Sequence, residues 1–237
     1  MSEARAQILG GVRRSLARDA LAPEHAATLE TRLRGHAANL VPARAAGLEP
    51  RRLVELFEAQ ASKILASVVR VASLDAVPDA VAEYLAGRNL ESELTMAPDP
   101  LLDGAPWAKR PLIKIRRGAA DGKEPTGLSA AFAAIAETGT LMLVSGKNSP
   151  SALNFLPDTH IVVLPIARMV GPMEAAWDRL RQAFAPQGDD IGGASMPRTI
   201  NFITGPSRTG DIEQKIEMGA HGPRRLHIIV VEDEALR

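Results

Sequence analysis

The chain contains no cysteine. That excludes disulfides, thiolate nucleophiles, cysteine-ligated zinc and iron–sulfur clusters held by its own side chains, so redox chemistry requires an organic cofactor or another subunit. Aromatic residues make up 3% of the 237 positions, too few to build a stacking platform for single-stranded bases. Charge of one sign is not in excess either. The 28 Lys+Arg balance 28 Asp+Glu, and with no net field neither nucleic acid nor an anionic membrane is an expected partner. No run approaches the roughly 18 to 20 apolar residues of a membrane span. The first twenty positions interleave Glu3, Arg5, Arg13, Arg14, Arg18 and Asp19 without an unbroken apolar core, unlike a secretory signal. A soluble, cytoplasmic protein is expected. Internal repeats, a Walker loop and a G-x-G-x-x-G fingerprint are also missing.

What is present is a chain long enough for one large domain with an appendage. Residues 1–65 read as an N-terminal helical segment and 66–237 as an α/β domain. Two helices are expected over 2–40, with thin apolar stripes (Ile8, Val12, Leu16; Leu29, Leu33, Ala37) that leave packing, self-association and mobility open. Leu53, Leu56, Phe57, Ala61 and Ile64 give a firmer stripe. From residue 67 the rhythm changes. A strand over 68–71, a helix from Asp75 to about Leu85 and a strand over 93–96 form a β-α-β unit. Further strands are expected over 112–115, 141–144, 160–165, 199–204 and 226–231. Helices are expected over 128–136, where Leu128, Ala131, Phe132, Ile135 and Ala136 share a stripe, and from Pro172 through Phe184. This alternation of strands and helices is that of an α/β fold.

The most informative stretch is 199–231. The strand ending at Thr204 is stopped by Gly205-Pro206, and Ser207, Arg208 and Thr209 precede a helical run from Asp211 to Ile216 that ends at Gly219. A strand feeding directly into a helix presents amide N–H groups to an anion, and Arg208 could close on it with its planar fork. Ser207 and Thr209 serve equally as plain helix caps. The turn Gly219-Ala220-His221-Gly222-Pro223 offers His221 as an acid or base, although loop histidines are commonly surface hydrogen-bonding groups. A second candidate is Glu137-Thr138-Gly139-Thr140, at the joint between the expected helix and the next strand. There Glu137 either finishes the helix or offers a carboxylate to a cleft. The loop over 145–158 has the length of a lid or binding loop. Asp189-Asp190 reads as a solvated pair, and no metal site is expected.

Three fragments together, Ala136-Glu137-Thr138-Gly139-Thr140, the run from Asn201 to Glu213, and Gly219-Ala220-His221-Gly222-Pro223, resemble the LUD domain, specifically the stand-alone lactate-utilisation protein C family. The resemblance covers about 68–232. It implies a fold similar to the sugar-phosphate isomerase and CoA-transferase group, α/β with a Rossmann-like, mostly parallel sheet flanked by helices. It also implies a role in oxidising L-lactate to pyruvate beside sister subunits that carry the iron–sulfur and cysteine-rich motifs, with no cluster on this chain and the cofactor open. The carried-over site has Glu137 and His221 as acid–base groups. Thr138, Gly139, Thr140, Asn201, Thr204, Gly205, Pro206, Ser207, Arg208, Thr209 and Gly222 would surround a small anionic ligand in a cleft shared by residues 137 and 208. Gly210 stands where the family more often has alanine, which should loosen the first turn of the expected helix. Two other readings stay open: a free-standing isomerase or acyl-CoA transferase using Glu137, and a non-enzymatic scaffold or regulator.

Overall fold

The computed structural model describes residues 3–17, 21–38, 40–185, 196–212, 215–233 and 236. The chain divides into two compact units, Met1–Leu40 and Val41–Arg237. The first holds helices α1 (Glu3–Ser15) and α2 (Pro23–Gly35), neither of which buries a residue. Their apolar stripes stay exposed, Ile8 at 67% and Leu33 at 69%. Among the described residues no helix is long and apolar enough to cross a membrane.

The second unit opens with α3 (Pro50–Lys63), started by a proline in its first turn and burying Val54, Phe57 and Ala61 on one face. Strand β1 (Ser67–Val71), helix α4 (Val77–Gly87) and strand β2 (Glu93–Met96) follow as the sequence rhythm predicts. A single turn α5 (Pro100–Asp103), capped by the Asp99 side chain, leads to β3 (Lys114–Arg117). Then come β4 (Thr126–Ala130), β5 (Ala133–Ile135), β6 (Thr140–Val144), β7 (Thr159–Pro165), β8 (Met169–Val170), α6 (Met173–Ala183) and β9 (Ile200–Ile203). A hairpin of β10 (Arg208–Ile212) and β11 (Lys215–Met218) and a last strand β12 (Arg225–Val231) complete the chain.

Six strands form one parallel sheet in the order β1-β12-β7-β4-β2-β3, so the expected parallel sheet flanked by helices is present. A second sheet, β8-β5-β6-β9, contains antiparallel pairs and was not foreseen. The layers follow from which strand residues share a face. Leu128, Ile161, Val163, Ile229 and Val231 pack with Val77, Val81 and Leu85 of α4. Val162, Leu164, Ile228 and Val230 pack on the opposite face with Phe57 and Ala61 of α3 and with Ala134, Leu141 and Leu143 of the second sheet. Helix α6 covers the outer side of that sheet through Ala176 and Leu180 against Ala133, Ile135 and Met142. Because both faces of the long strands are covered, their sequences run apolar without alternation.

Two expected helices are strands. Residues 128–136 form β4 and β5, each buried along its whole length. With apolar side chains needed on both faces, the segment fits a helical stripe as well as a strand, and double-sided burial decides for the strand. The run after Thr209 is the β10–β11 hairpin, so Gly210 lies in a strand and loosens no helical turn. Gly219, with φ +86°, turns the chain after β11 instead of ending a helix. Likewise Glu137-Thr138-Gly139 is the tight turn joining β5 to β6, closed by the Gly139 amide donating to the Ile135 carbonyl at 3.0 Å. Asp189 and Asp190 lie outside the described residues.

Gly139 has φ +68°, and a Cβ there would sit 2.5 Å from the Ala61 amide nitrogen. Gly139→Ala should therefore cost about 2–4 kcal/mol through the left-handed backbone and the clash together. Gly210→Ala, with nothing within 4 Å, should change stability by less than about 0.5 kcal/mol. Paired urea titrations of the two variants check this contrast.

Two histidines are buried inside the fold. His160 Nε2 lies 2.7 Å from Ser129 Oγ, and His227 Nδ1 lies 2.9 Å from Ser67 Oγ, with Tyr84 stacked on the His227 ring at 3.9 Å. Burial pushes each down to about 4. The unfolded chain, titrating near 6.5, then binds more protons than the folded one between about pH 6.5 and 4. Stability is fully present above that window and falls as pH drops through it, on the order of 3 kcal/mol per histidine. Urea midpoints measured at pH 7 and pH 4.5 should differ less in His160→Gln than in the wild type. An equal difference would assign the acid sensitivity elsewhere.

Candidate functional site

Strand β9 ends at Ile203, and Gly205 (φ +83°) turns the chain where a Cβ would lie 2.5 Å from the Ile64 carbonyl oxygen. Only a residue without a side chain brings this bend so close to the end of α3. From there Ser207 laces two segments together. Its amide donates to the Pro223 carbonyl at 2.8 Å, its carbonyl accepts from the Gly219 amide at 2.9 Å, and its Oγ accepts from the His221 amide at 3.2 Å. The start of the β10–β11 hairpin is thereby fixed against the 219–223 turn. This explains why Arg208 and His221 share a wall although thirteen positions separate them in the chain.

The wall encloses a hollow of about 380 Å³. Thr204, Gly205, Pro206, Ser207, Arg208, His221 and Gly222 line it, together with Asn154 and Phe155 from the long loop before β7. Arg208 and His221 are exposed at its mouth. Asn154, at the end of a short 3₁₀ turn, is only 2% exposed, and its Oδ1 has no hydrogen-bond partner among the described residues. A buried amide oxygen without a donor is costly, and one bordering a cavity is met by a ligand or a water. The hollow lies at the amino ends of β7 and β12, which follow Asn154 and Pro223 in the chain. With β10 a strand, no helix starts after Arg208 among the described residues, and the hollow offers hydroxyls and the Arg208 guanidinium where helix amides were expected.

Glu137, Thr138, Gly139 and Thr140 do not line this hollow, nor do Asn201 and Thr209. The Glu137 carboxylate, 11% exposed, lies 3.4 Å from the Arg44 guanidinium, and the Glu137 amide donates to the Gly171 carbonyl at 3.1 Å. The link between the two regions is a row of hydroxyls. Thr138 Oγ1 is 2.7 Å from Thr140 Oγ1, which is 2.8 Å from Thr204 Oγ1 at the edge of the hollow. The family resemblance implied a cleft shared by the β5–β6 turn and the end of β9; among the described residues the contact given between them is this row of threonine hydroxyls. Asn154 and Phe155 were missed as site residues; the length of their loop was the available signal. Among the described residues no group of three or more His, Asp or Glu could hold a metal ion.

Comparison with known proteins gives these features a family. The LUD domain profile matches residues 54–231, from within α3 to the last residue of β12. The lactate utilization protein C of Bacillus subtilis (strain 168) is 36% identical over 107 residues, covering 45% of this chain and 42% of that protein. The protein of the same name from Geobacillus thermodenitrificans (strain NG80-2) is 39% identical over 116 residues, covering 48% of this chain and 45% of its own length. The matched segments thus span under half of these relatives. A crystal structure of a DUF162 family protein from Deinococcus radiodurans superposes with a TM-score of 0.57 at 22% identity, covering 78% of this chain and 99% of that one, a likeness of fold. Since the profile takes in both sheets and the helices packed on them, the chain belongs to the LUD domain family.

Proposed function

We propose that the chain works in L-lactate utilisation as a component without an iron–sulfur cluster, binding a small hydroxy- or oxo-carboxylate in the Arg208 hollow. The single observation that carries the site is the buried Asn154 Oδ1, left without a donor beside a cavity that also holds a guanidinium. An α-hydroxy acid supplies both complements. Its carboxylate pairs with Arg208 through charge-assisted hydrogen bonds, and its hydroxyl donates to Asn154. Thr204 and Ser207 add hydroxyls to the same wall, and His221 is the group available to take or return a proton.

Relatives named lactate utilization protein C support the metabolic setting. Oxidation of lactate to pyruvate removes two electrons and two protons. A cysteine-free chain cannot ligate a cluster through thiolates, so in this reading the electrons pass to iron–sulfur sister subunits while this component binds the organic acid. Glu137, held beside Arg44, does not line the hollow and in this reading does not contact the ligand.

Titration calorimetry of the full chain with L-lactate and with pyruvate tests the site. Arg208→Ala should weaken binding at least tenfold, about 1.4 kcal/mol or more. Asn154→Leu, which replaces the orphaned amide by an apolar group of similar size, should weaken lactate more than pyruvate while leaving the urea midpoint unchanged or raised. Lactate affinity unaltered in both variants would overturn the assignment.

A further inference from the structure

At the opposite end of the parallel sheet lies a second hollow, of about 330 Å³, whose side chains the Arg208 site does not use. Asp99 follows β2, Ala130 ends β4 and Arg168 follows β7, and these three strands are neighbours in the sheet. The hollow therefore caps the carboxyl ends of adjacent parallel strands. Small-molecule sites of open α/β sheets occur at this end, where successive loops diverge. Here the divergence is large: after Ala130 the chain leaves the parallel sheet for β5 of the second sheet.

Two arginines border the hollow from different elements. Arg168, on the turn after β7, donates from Nη1 to the Ala131 carbonyl at 2.8 Å. Arg179, on α6, donates from Nη1 to the Ala167 carbonyl at 2.8 Å. Each backbone bond fixes a guanidinium fork in orientation, removing part of the entropy cost of gripping a ligand. Burial lowers the basicity of both groups from the ordinary arginine value; on Arg168 the Asp99 carboxylate acts against this, and the charge of Arg179, a smaller effect, acts with it. Arginine stays protonated nonetheless, so two partly desolvated cations are held in one neighbourhood, with Asp99 as a nearby carboxylate.

We propose that this arginine-bordered hollow is a binding site for a small dianion that also carries a hydroxyl group. Two guanidinium forks from different elements present several N–H donors to the oxygens of a phosphate monoester or a dicarboxylate. The Asp99 Oδ1 already accepts from the Leu101 amide at 2.8 Å, and its remaining acceptor capacity is suited to a ligand hydroxyl. Ser149 supplies a neutral donor. Phe132, Val144 and Ala183 form apolar wall, which limits water and strengthens the charge contacts. The volume is near the lower end of the roughly 300–1,000 Å³ typical of ligand pockets, favouring a compact molecule over a dinucleotide.

The test uses the full chain and four probes: inorganic phosphate, glycerol 3-phosphate, succinate and malate. Wild-type protein should bind glycerol 3-phosphate or malate at least tenfold more tightly than L-lactate at this site. The hydroxyl-bearing member of each pair should bind more tightly than phosphate or succinate. The preferred pair identifies the anionic group. Arg179→Ala should abolish the preference and Arg179→Lys should weaken binding at least tenfold. Arg208→Ala should leave it unchanged, which separates this site from the lactate proposal. If Arg179→Ala alters the near-ultraviolet circular dichroism, Ser149→Ala replaces it as the deciding variant, with a severalfold loss expected. Absence of binding by all four probes, or full affinity retained in the folded arginine or serine variant, would overturn the assignment.

Discussion

The layering rests on three places where backbone meets backbone. A Cβ at Gly171 would collide with the Ala45 carbonyl oxygen, one at Gly139 would reach the Ala61 amide at 2.5 Å, and one at Gly205 would reach the Ile64 carbonyl at the same distance. All three glycines belong to turns at or after strands of the second sheet, and all three contacts fall on residues 45–64, in or beside α3. The second sheet can therefore lie flush against the helix that covers the parallel sheet. Ordinary side chains at these points would hold the turns away from α3 and open the cluster of Phe57, Ala61, Leu141 and Leu143 to water. A few ångströms of separation there would forfeit dispersion contacts across a whole layer.

That constraint also explains the position of Glu137. The Glu-Thr-Gly-Thr turn is pressed onto α3 by Gly139, which directs the preceding carboxylate toward Arg44 instead of the Arg208 hollow. Helix-terminus reasoning could not reveal this, since Gly139 fits a helix C-terminus and the element before it was expected to be a helix. The same residue type closes helices and tight hairpins, and only the surrounding pairing of β5 with β6 distinguishes them.

Strands with unbroken apolar runs rich in β-branched residues, such as Ile161 to Leu164 and Ile228 to Val231, were legible because double-sided burial in a parallel sheet leaves that signature. The alanine-rich segment 128–136 was not, because apolar residues at nearly every position fit a period of 3.6 as readily as 2. The hairpin after Ser207 was hidden for another reason: Ser207 and Thr209 fit helix caps and Lys215 to Met218 favour helix locally, and pairing overrides that preference. Of the Arg208 hollow, the members close in sequence were recognised from their motifs. Asn154 was not, since its place beside Ser207 depends on how a distant loop packs. Nor was the pairing of Arg168 with Arg179, which arises only when α6 folds back over the turn after β7.

The β10–β11 hairpin is a two-stranded ribbon, and such ribbons have little independent stability. What anchors its base is the Ser207 lacing to Gly219, His221 and Pro223. One side of the Arg208 hollow is thus built on an element with few cooperative supports, while Asn154 on the other side is locked in the interior. A ligand bridging the two would tie the weaker wall to the stronger, so amide hydrogens of the ribbon would exchange more slowly once the hollow is filled.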